Sequence, residues 1–446
     1  MADTNKIKIG MISLGCPKNQ VNAERMLASL AADGMEIVDP LDGAHAVIVN
    51  TCGFIDDAKR EAIENILEMA ELKQEGKIGK LIVAGCLAES CREEILREIP
   101  EVDAVLGLGA NDEIARYARA ALRGETSAAF PPLDCLSLSG ERTLTTPSHW
   151  AYLVIADGCS NHCSYCKIPS IRGDYRSRPM EEIVAEARSL AAQGVKEIIL
   201  IAQDTTRYGL ELYGELRLPA LLRALCGIEE LHWIRLLYCY PDEFTQELME
   251  TIAAEEKIVK YVDLPLQHAD DRILKSMGRR GSSEAIVDLL RQLRKTVPGI
   301  ALRTTFITGF PGEDDAAFEA LSRFVEEQRF ERMGTFPFSP QEGTPAYSME
   351  EQVDPETAVR RAEILMEQQA QITCEKNNGK LGQVLSVVVE AYDGYTDCYA
   401  GRSAADAPEI DGAVFFTSEK PLENGDFVPV KILGVRNYDL LGQVSK

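Results

Sequence analysis

Three cysteines share one short run, Cys159-Ser160-Asn161-His162-Cys163-Ser164-Tyr165-Cys166, spaced C-x3-C-x2-C. Three thiolates on one tight loop can hold three irons of a [4Fe–4S] cluster, whereas an electron-transfer cluster takes four. The fourth iron is left with an open position. S-adenosylmethionine (SAM) can chelate that iron through its amino and carboxylate groups. One electron from the cluster then cleaves SAM to a 5′-deoxyadenosyl radical. Such a radical abstracts hydrogen from unactivated carbon, which acid–base groups cannot do. Zinc is the competing occupant, but it prefers four ligands in paired C-x2-C units. The nearest fourth ligand, His162, lies awkwardly on the same loop.

Three further cysteines stand far apart in sequence. Cys16 lies in Gly15-Cys16-Pro17-Lys18-Asn19, Cys52 in Asn50-Thr51-Cys52-Gly53 and Cys86 in Gly85-Cys86-Leu87, with gaps of 36 and 34 residues. Each follows a strand-like run, and the gaps match one βαβ unit. Successive parallel strands present their C-terminal ends on one edge of a sheet, so the three thiols are expected to converge. A neighbouring glycine at each one admits a bulky cluster. A second [4Fe–4S] cluster with a free iron follows, and that iron could hold exogenous sulfur. The bland alternative is three buried apolar cysteines. Of the other six, Cys226, Cys239, Cys374 and Cys398 have no partner spacing and read as core. Cys135 lies in a linker, and Cys91, five residues after Cys86, is the natural substitute ligand. Twelve cysteines without a secretory leader argue for metal ligands rather than a disulfide framework.

The elements that position these groups fall into three stretches of an α/β multidomain chain. Residues 1–124 alternate strand-like runs (7–14, 46–50, 80–84, 104–107) with amphipathic helical runs, which predicts a parallel βαβ sheet. Residues 125–148, rich in Ser, Thr and Pro, read as a linker. Residues 149–377 carry six strand-like runs (152–156, 197–202, 234–239, 261–266, 302–308, 333–338) separated by helices, as in a partial β/α barrel with its chemistry at the C-terminal strand ends. Residues 378–446 show β-type alternation at 384–390, 413–417 and 427–435 and predict a small all-β barrel.

Composition narrows the partners. Hydrophobic content of 45% and charged content of 26% suit a globular protein. No apolar run reaches the ~20 residues that span a bilayer. Residues 1–8 are too polar for a signal peptide, so a cytoplasmic location without membrane attachment is expected. The net charge of −24 suggests a basic partner, or one local positive patch on an acidic body, since a nucleic acid's phosphates call for a basic surface. The last 69 residues hold six Lys/Arg against ten Asp/Glu, a poor surface for RNA.

Taken together, these motifs make the chain resemble the methylthiotransferase family of radical SAM enzymes over nearly its whole length. The family joins an N-terminal three-cysteine domain, a radical SAM barrel and a C-terminal TRAM domain. Besides the cysteine motifs, with Tyr165 just before the last cysteine, the matching segments include Lys167-Ile168-Pro169, Arg172-Gly173, Asp263-Leu264-Pro265-Leu266-Gln267-His268 and Thr308-Gly309-Phe310-Pro311-Gly312-Glu313. The Cys-Pro-Lys-Asn element and Ile201-Ala202-Gln203-Asp204-Thr205 resemble the ribosomal-protein branch, RimO, rather than the tRNA branch. The resemblance implies two [4Fe–4S] clusters, on Cys16/Cys52/Cys86 and on Cys159/Cys163/Cys166, with SAM as both methyl donor and radical source. It implies that the β-carbon of an aspartate in small-ribosomal-subunit protein 12, free or ribosome-bound, receives a methylthio group. One SAM methylates sulfur held at the N-terminal cluster. A second yields the radical that removes hydrogen from the aspartate, and the carbon radical takes up the methylthio group. A sulfur donor and a reducing partner such as a flavodoxin or ferredoxin are required.

Gln203 and Asp204, at the second barrel strand's end, are expected beside SAM's polar groups, with helix capping the alternative for Asp204. Thr308 and Gly309 end the fifth strand, where they admit adenine or ribose or simply form a turn. Gln267 and His268 end the fourth, where His268 could contact SAM or substrate, with a satisfied structural role the alternative. Lys167, Arg172, Arg176 and Arg178 form the one basic run. An arginine there could pair with the target carboxylate, the alternative being a solvated loop that balances an acidic surface. Competing functions are methylthiolation of a modified adenosine in tRNA and, in another class, a non-catalytic iron–sulfur scaffold or electron carrier. A zinc protein that binds ribosomes is the third.

Overall fold

The computed structural model describes residues 6–445. Residues 1–5, part of the polar stretch read above as no signal peptide, lie outside the described residues, as does residue 446. Among the described residues no helix is long and apolar enough to cross a membrane. The chain forms two compact units. One comprises residues 1–147, 152–162 and 166–186; the other comprises 148–151, 163–165 and 187–446.

The first unit is built on a six-stranded, wholly parallel sheet, ordered Glu36–Val38, Lys8–Ser13, Ala46–Thr51, Lys80–Gly85, Ala104–Leu106, Ser127–Ala129. Its strands read as continuous apolar runs because helices cover both faces. Ile48, Ile82, Ala84 and Leu106 pack on one side with Ala23, Met26 and Leu30 of the helix Pro17–Ala32. Val47, Val49, Leu81 and Val83 pack on the other with Ala62, Ile66 and Met69 of the helix Asp56–Gln74. The short edge strands Glu36–Val38 and Ser127–Ala129 escaped the sequence pattern, since three residues carry no readable period. The second pairs with Ala104–Leu106 from within the stretch read as a linker. That stretch also buries Arg142, which bonds the Glu24 carboxylate and the Tyr152 carbonyl.

The second unit contains the parallel strands Arg332–Pro337, Ala301–Thr308, Ile258–Asp263, Trp233–Leu236 and Glu197–Ile201, neighbours in that order in an open sheet. Its registered pairs are parallel, as expected of a partial β/α barrel. The C-terminal segment forms a closed five-stranded barrel, Val384–Asp393, Cys398–Ser403, Val414–Thr417, Asp439–Val444, Phe427–Arg436. Alternate residues fill its interior, among them Val387, Val389, Val414, Phe416, Val430 and Ile432.

Within this unit the C-terminal barrel is tied to the larger sheet by buried ions rather than apolar contact alone. Glu197, fully buried, accepts from Arg235 Nε at 2.8 Å and from Arg402 Nη2 at 2.7 Å. Arg332 pairs with buried Asp406, and Tyr261 donates its hydroxyl to Asp411 at 2.7 Å. Burial by itself would raise the Glu197 carboxyl, but Arg402 and Arg235 outweigh it and hold the group below its ordinary value. A carboxyl depressed in this way contributes stability above its unfolded pKa, and that stability is lost as pH falls through the folded value. Glu197→Gln is therefore expected to lower stability at pH 7 by about 3–5 kcal/mol, because Arg235 stays buried without a counter-charge and Arg402 keeps only Glu390. In urea titrations the gap from the parent should narrow as pH falls below the ordinary carboxylate range and through the depressed folded value, where the parent's own carboxyl protonates.

Candidate iron–sulfur and S-adenosylmethionine sites

In the first unit the three N-terminal cysteines occupy equivalent places at strand ends. Cys16 caps the helix Pro17–Ala32, whose first residue, a proline, has no N–H to leave unpaired. Cys52 follows Ala46–Thr51 directly, and Cys86 opens the helix Cys86–Cys91 directly after Lys80–Gly85. The loops touch. Gly15 has φ +91°, and a Cβ there would lie 2.6 Å from Cys52 Cβ and 2.8 Å from Cys52 Sγ. A Cβ at Gly53 would lie 2.9 Å from Leu87 Cα and 3.2 Å from the Cys86 carbonyl carbon. Close approach to the Cys52 side chain at Gly15, and to backbone at Gly53, therefore demands glycine at both places.

Side chains of the same motifs lock this edge. Asn19 Nδ2 donates to Leu14 O at 2.7 Å and to Thr51 O at 3.2 Å. Asn50 Nδ2 donates to Asn19 O at 2.9 Å, and Thr51 Oγ1 donates to Ala84 O at 2.6 Å. Every bond but the first joins one cysteine-bearing strand–helix segment to the next, so the asparagines and threonine beside the cysteines are fasteners.

The electrostatics of the three thiols differ. Burial raises Cys16 most, but Lys18, Arg172 and the backbone N–H groups of Asn19 and Lys18 together bring it below the ordinary thiol value. Burial pushes Cys86 up to about 11 against the opposing Arg172, and it raises Cys52 too. Arg172 Nη2 donates to Cys86 Sγ at 3.5 Å. Among the described residues, no group of three or more His, Cys, Asp or Glu side chains is arranged to hold a single metal ion. An iron–sulfur cubane takes one thiolate at each of several irons and so asks for a wider triangle than one ion does. A thiol-only donor set with N–H groups and a guanidinium turned to its sulfurs suits such an anionic cluster. None of the twelve cysteines forms a disulfide.

Of the central triplet, Cys159 and Cys166 lie in the first unit and Cys163 in the second. Cys159 N donates to Gly173 O at 3.1 Å, and Ile168 N points to Cys166 Sγ at 3.4 Å. His162 has φ +50°, a left-handed conformation uncommon outside glycine. In the second unit, the Tyr240 hydroxyl lies 3.8 Å from Cys163 Sγ, and the Arg279 guanidinium stacks 3.8 Å from the Tyr240 ring centre while bonding Cys163. Neither residue carried a signal in sequence, because their chemistry exists only beside the sulfur.

The second unit also shows which expected SAM contacts are free to act. Gln203 follows the strand Glu197–Ile201, and both its Oε1 and Nε2 are buried without a partner. A buried amide with neither atom bonded is costly unless a ligand completes it, which fits the amino and carboxylate groups of SAM. Asp204, fully buried, accepts from Thr206 Oγ1 at 2.7 Å and from Arg207 N at 3.2 Å, an internal turn role. Thr308 donates its hydroxyl to Ala358 O at 2.9 Å, and Gly309 N donates to Glu313 Oε1 at 3.0 Å. Both thereby join the network that seats the helix Pro355–Asn378 through Arg361 and Glu313. His268 is fully buried between Glu313 and the Asp270 N–H, in the structural role named as its alternative.

The basic run needs correction. Arg172 and Arg178 are buried and are neither solvated nor free to meet a carboxylate. Arg178 pairs with Glu186 at 2.8 Å and donates to Val154 O at 2.6 Å, while Arg172 pairs with Asp157. Charge density along a sequence does not reveal that its counter-ions are internal. Arg176, half-buried, keeps its Nη2 without a partner.

Comparison with known proteins accords with this geometry. The chain matches the Radical SAM superfamily over residues 153–325, the uncharacterized protein family UPF0004 over 8–107 and the TRAM domain over 381–444. It is 49% identical over 447 residues to the ribosomal protein uS12 methylthiotransferase RimO of Acetivibrio thermocellus, covering 98% of each chain. It is 48% identical over 436 residues to the protein of that name from Thermoanaerobacter sp., covering 98% of this chain and 99% of the relative. Among solved structures, the radical S-adenosylmethionine methyltransferase TsrM of Kitasatospora setae, with cobalamin and a [4Fe–4S] cluster bound, aligns over 77% of both chains. Its TM-score is 0.56 at 16% identity, a likeness of fold.

The contact at Gly15 makes a sharp test. Gly15→Ala places a Cβ against Cys52 at a left-handed residue, at a strain of about 1–3 kcal/mol. Iron per chain after anaerobic reconstitution should fall from about eight to about four. The remaining iron should still respond to SAM in its electron paramagnetic resonance (EPR) spectrum.

Proposed function

The chain belongs to the radical SAM methylthiotransferase family of its RimO relatives, and we propose that it adds a methylthio group to the β-carbon of an aspartate in ribosomal protein uS12. It is a transferase that uses SAM and an iron–sulfur cluster. Cys159, Cys163 and Cys166 would hold the cluster that binds SAM, and Cys16, Cys52 and Cys86 a second one. When bound, these groups supply the methyl group, the sulfur and the radical needed to functionalise an unactivated carbon.

The observation that carries the reading is the convergence of Cys16, Cys52 and Cys86. Radical generation needs one three-cysteine site, and a second such site on a separate sheet is what sulfur insertion adds. Asn19, Asn50 and Thr51 hold its loops in register. Gln203 offers its unpartnered amide to SAM. Residues 1–124 would serve sulfur transfer and 149–377 radical chemistry, joined through 125–148. Residues 378–446 would present an acidic barrel, with Asp393, Asp397, Glu409, Glu419 and Glu423 exposed, to a basic ribosomal protein. Sulfur would come from an exogenous donor and electrons from a reducing partner such as a flavodoxin or ferredoxin, in the cytoplasm.

The test is mass spectrometry after anaerobic incubation of reconstituted enzyme with SAM, sulfide and dithionite, offering uS12 and tRNA in parallel. A methylthio group on an aspartate of uS12 is the expected product. A gain on tRNA alone would keep the chemistry and overturn the substrate. No product, and no 5′-deoxyadenosine from enzyme carrying its full iron, would favour a scaffold. Gln203→Ala should weaken SAM binding about tenfold, the loss of one or two hydrogen bonds, at unchanged iron content, measured by the SAM-induced change in the EPR spectrum.

A further inference from the structure

Arg172 is 2% exposed and stands where a cation is costly unless fully engaged. Its Nη1 donates to both carboxylate oxygens of Asp157, at 3.0 and 3.1 Å, and Asp157 is itself buried. Its Nη2 donates to Cys86 Sγ. Leu108, Leu136 and Ile171 make an apolar wall on Cys86, and the buried Lys18 adds a second positive charge to the same thiol site. The guanidinium therefore faces a sulfur through a dry, low-dielectric wall, where a fixed positive charge acts strongly. Stabilising the fold does not call for this arrangement. Apolar groups of similar volume in place of a buried ion pair are commonly as stable or more so.

We propose that Arg172, held by Asp157, is a positioning residue that raises the reduction potential of the cluster bound by Cys16, Cys52 and Cys86. The inference rests on the assignment of those three cysteines as ligands. One-electron reduction adds a negative charge to a cluster already carrying three thiolates. An N–H directed at one of its sulfurs, and a cation behind that N–H, favour the reduced state. The fork of the guanidinium serves both ends, since one nitrogen is fixed by the carboxylate and the other is thereby aimed at sulfur. Asp157 opposes the charge as it orients the group, so the two side chains act on the potential with opposite sign.

Opposite sign is what the experiment reads. In full-length protein carrying Cys159→Ala, Cys163→Ala and Cys166→Ala, all bound iron belongs to the N-terminal site. Its midpoint potential is then followed by EPR-monitored titration. Arg172→Gln should lower the reduced-to-oxidised ratio at a fixed potential at least tenfold, about 59 mV for a one-electron couple. Asp157→Asn, which leaves the guanidinium without its counter-charge, should shift the potential upward. Arg172→Lys, which keeps the charge but loses the fork, should fall between Arg172→Gln and the parent. Unchanged potentials in Arg172→Gln and Asp157→Asn, or shifts of the same sign in both, would overturn the proposal. So would loss of iron from Arg172→Gln, which would make the residue a structural support alone. A triple-cysteine background that binds no iron would instead remove the ligand assignment itself, and the proposal with it.

Discussion

Three thiols drawn from positions 36 and 34 residues apart can meet only if the backbone brings them to one point, and a parallel sheet is the simplest device that does so. Each strand of the first unit's six-stranded sheet runs in the same direction, so each loop after one of these strands emerges on the same edge. The meeting then depends on contact between loops rather than on the cysteines themselves. Gly15 sits against Cys52, and Gly53 sits against the start of the helix that Cys86 opens. Asn19, Asn50 and Thr51 stitch these loops with hydrogen bonds buried beneath the surface. Removing the close approach at any of these places would separate donors that no local sequence holds together.

Buried charge is the second constraint. A chain with a net charge of −24 still encloses several arginines, most of them answered by carboxylates. Glu197 takes two of them, and Asp157 takes Arg172. Such pairs give little net stability over apolar packing, but they are intolerant of losing one member. In the second unit they fix the C-terminal barrel on the open sheet. In the first they place a guanidinium against a thiol, where the same pairing serves chemistry.

The division of labour in the radical SAM half follows from which polar atoms remain unspent. Thr308, Gly309, Asp204 and His268 lie at strand ends, where substrates of such barrels are usually met. Their hydrogen-bonding groups hold turns and the helix Pro355–Asn378. Gln203, beside them, has both amide atoms unpartnered. The edge is thus mostly self-braced scaffold, with a few groups left for a ligand.

Much was legible in the residues alone. The C-x3-C-x2-C spacing, the placement of Cys16, Cys52 and Cys86 after strand-like runs and the β alternation after residue 378 all follow local rules, because hydrophobic period and loop position are written residue by residue. The strands Glu36–Val38, Ser127–Ala129, Cys398–Ser403 and Asp439–Val444 were not legible. The first two are three-residue edge strands; the other two are paired on both sides within the closed barrel, with partners that local pattern does not specify. The role of the basic run was not legible either. Sequence shows that Arg172 and Arg178 are cations, but a cation's function depends on its partner. Asp157 lies 15 residues from Arg172 and Cys86 lies 86 residues away, so tertiary structure alone could make that arginine the neighbour of a thiol instead of a hand for the substrate.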